Sequence, residues 1–267
     1  MTRTIVITGG SSGVGAAAAR ALRQGGAHVV LTGRSPATAE VARAVGADHF
    51  LVDYASLGQV REFATALLDR YPRIDALVNN VGGVFAERRV TEDGHEMTLQ
   101  VNHLAGFLLT ALLRERLEQS QAVVVNTSSV AHLLGRLDFA DLQSTRSYRP
   151  FRAYGTAKLM NILHAQEVAR RFAGVAAASF HPGAVASGFA REGGFGLRLV
   201  YQTPLRQLFL ISPERGADTL QWLLGSRPGQ DWAPGGYFAW RRPGRVSGQV
   251  TPGNAERLWQ ASEQLLS

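Results

Sequence analysis

Thr8-Gly9-Gly10-Ser11-Ser12-Gly13-Val14-Gly15 closes the β-branched run TIVIT at residues 4–8 and opens an alanine-rich stretch at 13–24. Glycine lets the backbone turn sharply and approach a pyrophosphate closely. The free amides at the start of the following helix then meet its negative charge. The spacing is Gly-x-x-x-Gly-x-Gly. Taken alone, such a turn also fits an ordinary tight loop; its place between a first strand and a first helix is what marks a phosphate cradle. Gly9, Ser11, Ser12, Gly13, Val14 and Gly15 are therefore candidate cofactor contacts.

Outward from this turn, short apolar runs alternate with amphipathic stretches. Residues 4–8, 28–32, 50–52, 74–79, 122–127 and 175–180 read as buried strands, being apolar and bounded by Gly, Asp or Asn. Helical patterns occupy 13–24, 36–45, 57–70, 91–119 and 151–172. Ser35-Pro36 and Ser212-Pro213 read as helix starts, the second leading a helix toward Leu224. A last strand is expected at 236–240 and a last helix from about Asn254. This alternation predicts an α/β fold of the Rossmann type, a doubly wound parallel sheet with helices on both faces. No linker or internal repeat divides the chain, so one NAD(P)-binding domain over 1–267 is expected.

In such a fold the end of the second strand meets the adenosine ribose. The sequence there is Leu31-Thr32-Gly33-Arg34. An acidic residue would bond a free 2′-hydroxyl, whereas an arginine fork pairs with a 2′-phosphate. Arg34 thus points to NADP(H), with a solvated arginine at a helix start as the competing reading. Asp53, with Tyr54 beside it, follows the third strand and is placed at the adenine, where its carboxylate can accept from the amino group; an Asp capping the next helix is the alternative, although Ser56 fits that cap better.

The balance of 28 basic to 21 acidic residues leaves a formal charge of +7. The basic residues are scattered arginines plus a single lysine, Lys158, which argues against a nucleic-acid surface. The absence of cysteine removes disulfides, thiolate metal sites and thiol chemistry. The seven histidines show no ligand spacing, so no metal is expected. No apolar stretch reaches the roughly 18 residues of a membrane span, and the start does not read as a signal peptide. A cytoplasmic, non-membrane protein is the expectation.

Tyr154 and Lys158 stand four apart in a helical pattern and share a face. A phenol titrates near pH 10, and lowering that by about three units takes roughly 4 kcal/mol. A neighbouring ammonium supplies part of it. The tyrosine can then protonate a carbonyl oxygen, or deprotonate an alcohol in reverse.

With the pair in place, the sequence resembles the short-chain dehydrogenase/reductase family. The matching pieces run in the family's order: the 8–15 turn, Asp53, Asn79-Asn80-Val81-Gly82, Asn102, Asn126-Thr127-Ser128-Ser129, Tyr154-x-x-x-Lys158 and His181-Pro182-Gly183. The resemblance implies that Ser129 bonds the substrate oxygen beside Tyr154. It implies that Asn102 orders a water for a proton relay through Lys158, and that Lys158 also binds the nicotinamide ribose. It places Asn80, Val81, Gly82, Pro182, Gly183, Val185 and Ser187 along the cofactor. Val81 and Ser187 stand where the family usually has alanine and threonine, and Ser12 where many NADP members carry a basic residue. The runs around 101–110 and 137–159 resemble the retinol dehydrogenase-like branch, whose membrane-bound members carry an N-terminal anchor not visible here.

Residues 184–210 are apolar and glycine-containing, which suits a lid over a hydrophobic substrate, with core or subunit packing as the alternative. The expected partner is a small hydrophobic ketone, aldehyde or alcohol; a homodimer or homotetramer is suggested by resemblance alone. Two other classes compete with a carbonyl reductase or alcohol dehydrogenase. A non-catalytic NADP(H)-binding sensor or scaffold would be expected to lose Tyr154, Lys158 or Ser129, all retained here. A dehydratase or epimerase usually needs a larger C-terminal substrate domain.

Overall fold

A computed structural model describes residues 2–183 and 211–267. The sheet order is β3-β2-β1-β4-β5-β6-β7-β8. Its strands are β1 (Thr4–Ile7), β2 (His28–Gly33), β3 (Asp48–Leu51), β4 (Ala76–Asn79), β5 (Val123–Thr127), β6 (Ala176–His181), β7 (Tyr237–Ala239) and β8 (Arg242–Pro243). All neighbours are parallel except the closing pair of β7 and β8. The order reverses between β1 and β4, the point beyond whose carboxyl ends sheets of this kind bind their ligands.

Strand side chains alternate between two apolar layers, as the pleat requires. Ile5, Ile7, Val29, Leu31, Val78 and Val125 face α1 (Gly13–Gln24) and α8 (Pro213–Gly225). Val6, Val30, Leu77 and Val124 face α3 (Leu57–Arg70), α5 (Ala105–Leu112) and α7 (Pro150–Arg171). The last helix, α9 (Pro252–Leu266), packs on α7 through Ala255 and Leu258, and its Trp259 ring lies 4.7 Å from that of Phe107. The doubly wound reading holds. α2 (Ala37–Val45) begins one residue later than the Ser35-Pro36 signal suggested, and the last helix two residues earlier than expected.

The expected helix 91–119 is divided. Thr91 and His95 close a turn through Gly94, whose φ is +82°, and the Glu96 carboxylate then caps the amides of Thr98 and Leu99. α4 (Met97–Leu99) passes into a π-helical turn at Gln100–Leu104, then α5, and α6 (Arg114–Ser120) follows a break at Leu113. Asn102 explains the π turn. Its Nδ2 donates to the Thr98 carbonyl at 2.9 Å, the acceptor a straight helix gives to a backbone amide, and the Ala105 amide reaches back to Gln100 instead. Asp93, not Ser56, caps α3: its Oδ2 accepts from the Leu57 amide at 2.8 Å. Among the described residues no helix is long and apolar enough to cross a membrane, and no group of three or more His, Cys, Asp or Glu could hold a metal.

Candidate active site

The phosphate turn is fastened from below. The Thr8 hydroxyl accepts from the amides of Asn80 (2.8 Å) and Val81 (3.1 Å). Asn80 Nδ2 donates to the carbonyls of Thr8 and Gly9, and its Oδ1 accepts from Thr127 at 3.1 Å. Asn80 thereby ties the turn to β4 and β5. Gly9 has φ +72° and Gly13 +57°, conformations L side chains avoid. A Cβ on Gly15 would stand 2.3 Å from the Gly9 carbonyl. Ser12 begins α1 in extended conformation without a side-chain cap bond. A close-approaching backbone at a helix N-terminus with no protein cap is what a pyrophosphate requires, so the residues fit a dinucleotide.

Arg34 is exposed where β2 ends, beside Gly33, and a Cβ on Gly33 would meet Thr38 Oγ1 at 2.4 Å. Asp53 Oδ1 accepts from the Ala55 amide at 3.0 Å, a local turn. Tyr54 is buried with its hydroxyl on Thr32 at 2.8 Å, turned into the protein, and burial pushes that phenol up. Its hydroxyl thus supports the turn from beneath. Pro182 and Gly183 (φ +87°) follow β6 at the same edge. Val185, Ser187 and the expected lid lie outside the described residues.

Tyr154, Lys158 and Asn102 come together. Lys158 is 1% exposed, and its Nζ lies 5.4 Å from the centre of the Tyr154 ring. The ammonium donates to the Thr127 carbonyl at 3.2 Å. Burial alone pushes the lysine down to about 7. A Cβ placed on Gly82 would lie 2.5 Å from Asn102 Oδ1 and 2.8 Å from Lys158 Nζ, so both groups border one small space that only glycine leaves open. Asn102 also accepts from the Gly83 amide at 3.1 Å and donates to the Gly83 carbonyl at 3.0 Å.

The two serines take different tasks. Ser128 is buried, and its hydroxyl donates to the Lys158 carbonyl at 2.7 Å, fastening β5 to α7. Ser129 is partly exposed and opens a 3-10 helix, Val130–Leu134, by accepting from the Ala131 amide. Two imidazoles grip the peptide after it. His132 Nδ1 lies 2.6 Å from the Ser129 carbonyl, and His181 Nδ1 accepts from the Val130 amide at 3.4 Å. Burial pushes His181 down to about 4, so it keeps the lone pair that contact needs.

Several site-building residues escaped the sequence reading. A Cβ on Gly155 would stand 2.4 Å from the Ala131 carbonyl, and one on Gly135 2.6 Å from the Gly155 carbonyl. The 3-10 helix that Ser129 opens therefore lies backbone to backbone on α7, one residue past Tyr154. A glycine inside a helical pattern was the available signal. Nothing in the spacing marked His132 or Asn161.

The chain is similar to known proteins along most of its length. The family model for short chain dehydrogenases matches residues 3–193. A protein of Streptomyces sp. (strain C5), provisionally named a daunorubicin C-13 ketoreductase, is 47% identical over 97% of this chain and 91% of its own length. Human retinol dehydrogenase 11 is 36% identical over 99% of this chain and 86% of its own. A crystal structure of an uncharacterised Mycobacterium paratuberculosis protein superposes with a TM-score of 0.77 at 31% identity, covering 98% of this chain and 92% of that one.

Proposed function

This chain belongs to the short-chain dehydrogenase family, a family of oxidoreductases, and on that premise we propose that it is an NADP(H)-dependent carbonyl reductase or alcohol dehydrogenase acting on a lipophilic substrate. The observation that carries the reading is the buried Lys158 ammonium near the Tyr154 ring, with Asn102 bordering the same space and the 3-10 helix that Ser129 opens packed on α7 beside Tyr154. When bound, the nicotinamide supplies or accepts the hydride. Ser129 holds the substrate oxygen. Tyr154 gives that oxygen its proton in reduction and takes the alcohol proton in oxidation. Lys158 stabilises the resulting phenolate, and does so strongly because little water screens the pair. Asn102 belongs to the path by which Lys158 and Tyr154 regain a proton.

The 9–15 turn would hold the pyrophosphate, Arg34 the 2′-phosphate, and Lys158 the nicotinamide ribose. Exposed apolar side chains at the strand ends support a lipophilic substrate. Leu134, in the short helix that Ser129 opens, is 65% exposed, and Trp240, after β7, is 49% exposed. Relatives named for a ketoreductase and for retinol dehydrogenases point the same way. The test is NADPH oxidation by purified protein over a panel of hydrophobic ketones and aldehydes. Tyr154→Phe should lower kcat by about 10²–10⁴-fold while leaving melting unchanged. Rates that never rise above that variant's would sink the reading.

A further inference from the structure

The carbonyls of Thr127 and Asn102 belong to different walls of the site, one ending β5 and the other in the π-helical turn. One side chain joins them. Asn161 Nδ2 donates to the Asn102 carbonyl at 3.0 Å and to the Thr127 carbonyl at 3.1 Å. The Thr127 oxygen is also the acceptor for Lys158 Nζ. The atom that seats the ammonium is thus itself held by Asn161. Behind it, Asn161 Oδ1 faces His103 Nδ1 at 3.3 Å, and His103 Nε2 faces Ser262 Oγ at 3.0 Å. An amide oxygen only accepts, so His103 carries its proton on Nδ1 and takes one from Ser262 on Nε2. Asn161, His103 and Ser262 are all buried, and both protons of the Asn161 amide are placed. A network with every member satisfied is rigid and fixes one geometry.

We propose that Asn161 is a positioning residue for the reaction: by tying two backbone carbonyls to one amide it sets where the Lys158 ammonium stands relative to Tyr154. Ser262, acting through His103, makes the C-terminal helix part of that setting. The inference rests on the acid–base reading of Tyr154 and Lys158. The titratable groups around Lys158 are Tyr154 and, further along α7, His164, together with His103 on the π turn. His132 and His181 contact the peptide between Ser129 and Val130. β5 and the 79–83 segment offer none. The ionisable side chains of α9, Glu256, Arg257 and Glu263, are exposed, with Arg257 over Phe139 and Glu263 on the Trp259 indole.

Asn161→Leu keeps the volume and removes both donors. The readout is the pH profile of kcat for alcohol oxidation, which needs the phenolate. A displaced ammonium stabilises the phenolate less, so the rising limb should move about one unit to higher pH, a tenfold loss of phenolate at a given pH. In a Lys158→Met background the same change should alter kcat less than about twofold, because its route is already cut. An unmoved limb with only a lower melting temperature overturns the proposal, as do fully multiplicative effects in the double variant. Should Asn161→Leu fail to fold, Ser262→Ala removes one hydroxyl at the far end of the network. It should move the limb the same way by about half a unit, and an unmoved limb again overturns the proposal. A Tyr154→Phe enzyme with wild-type kcat overturns the underlying acid–base reading. An unmoved limb beside an inactive Tyr154→Phe enzyme overturns the role of Asn161 alone.

Discussion

Lys158→Met should stabilise the protein while lowering its kcat to a small, still measurable fraction. The ammonium sits in a site that excludes water, and burial lowers it from 10.5 to about 7. At 1.36 kcal/mol per unit, keeping it charged costs the folded state about 5 kcal/mol at or below neutral pH. The sign follows from proton counts. Between about pH 7 and 10.5 the unfolded chain binds a proton that the folded one does not, so wild-type stability gains up to about 1.4 kcal/mol per pH unit from this group. Below pH 7 both states are charged and the full penalty stands; above 10.5 neither is, and it vanishes. Methionine removes the titration and forfeits about 1 kcal/mol for the bond to the Thr127 carbonyl. The variant should therefore be more stable by about 4 kcal/mol at pH 6, and the advantage should shrink steadily toward pH 10. Urea unfolding of both apo proteins at pH 6, 7.5 and 9 measures it. A variant destabilised equally at all three would refute the claim that the fold carries a buried charge at a penalty, and with it the reason to assign that charge to catalysis.

Three further outcomes are expected. Arg34→Glu should reverse the preference for NADPH over NADH in kcat/KM by at least about tenfold, because the guanidinium fork is lost and a carboxylate faces the 2′ position; an unchanged ratio removes Arg34 from cofactor choice. Gly15→Ala should abolish cofactor binding in a fluorescence titration, since its Cβ would stand 2.3 Å from the Gly9 carbonyl and push the turn open; wild-type affinity would exclude the 9–15 turn as the phosphate cradle. Trp240 is half exposed and borders Gly183, and it shares a turn with Arg241 in which both residues have left-handed φ. Trp240→Leu should raise KM about five- to tenfold for a flat aromatic ketone but under twofold for a compact aliphatic one, and equal effects would deny the ring a place in the substrate wall.

The fold was legible because two periods alternate cleanly along the chain and the glycines sit where a strand becomes a helix. Those signals are local. The acid–base pair was legible for the same reason, since four residues along a helix is a local distance. What stayed hidden depends on contacts far apart in sequence. The 91–119 pattern reads as one helix, because its apolar spacing does not reveal that Asn102 turns its amide back onto Thr98. Asp53 and Tyr54 read alike as contacts at the adenine end. Burial separates them, with Asp53 closing a local turn and Tyr54 turned inward onto Thr32. Asn161 was invisible because its partners come from β5, the π turn and, through His103, the last helix. No spacing rule joins those.

The polar residues packed under the site are best understood by asking what apolar ones would do there. Asn79, Asn126, Asn161, His103 and His164 share a layer with Phe107, Leu163 and Trp259, where leucines would pack well. The layer is imperfect as a structural device: Asn79 Oδ1 and His164 Nε2 are buried without a partner among the described residues. Each such orphan costs about 1–3 kcal/mol. His164 must also stay neutral, since burial pushes it down to about 3. A layer selected for stability alone would not keep these groups. Their bonds run in one direction, from Asn79 to Asn126, from Asn126 to the Asn161 carbonyl and His164, and from Asn161 to Thr127 and Asn102. They end on the Thr127 carbonyl that Lys158 bonds and on the backbone of Asn102. The polar layer thus makes sense as support for one buried charge, and the stability it forgoes adds to what Lys158 itself costs.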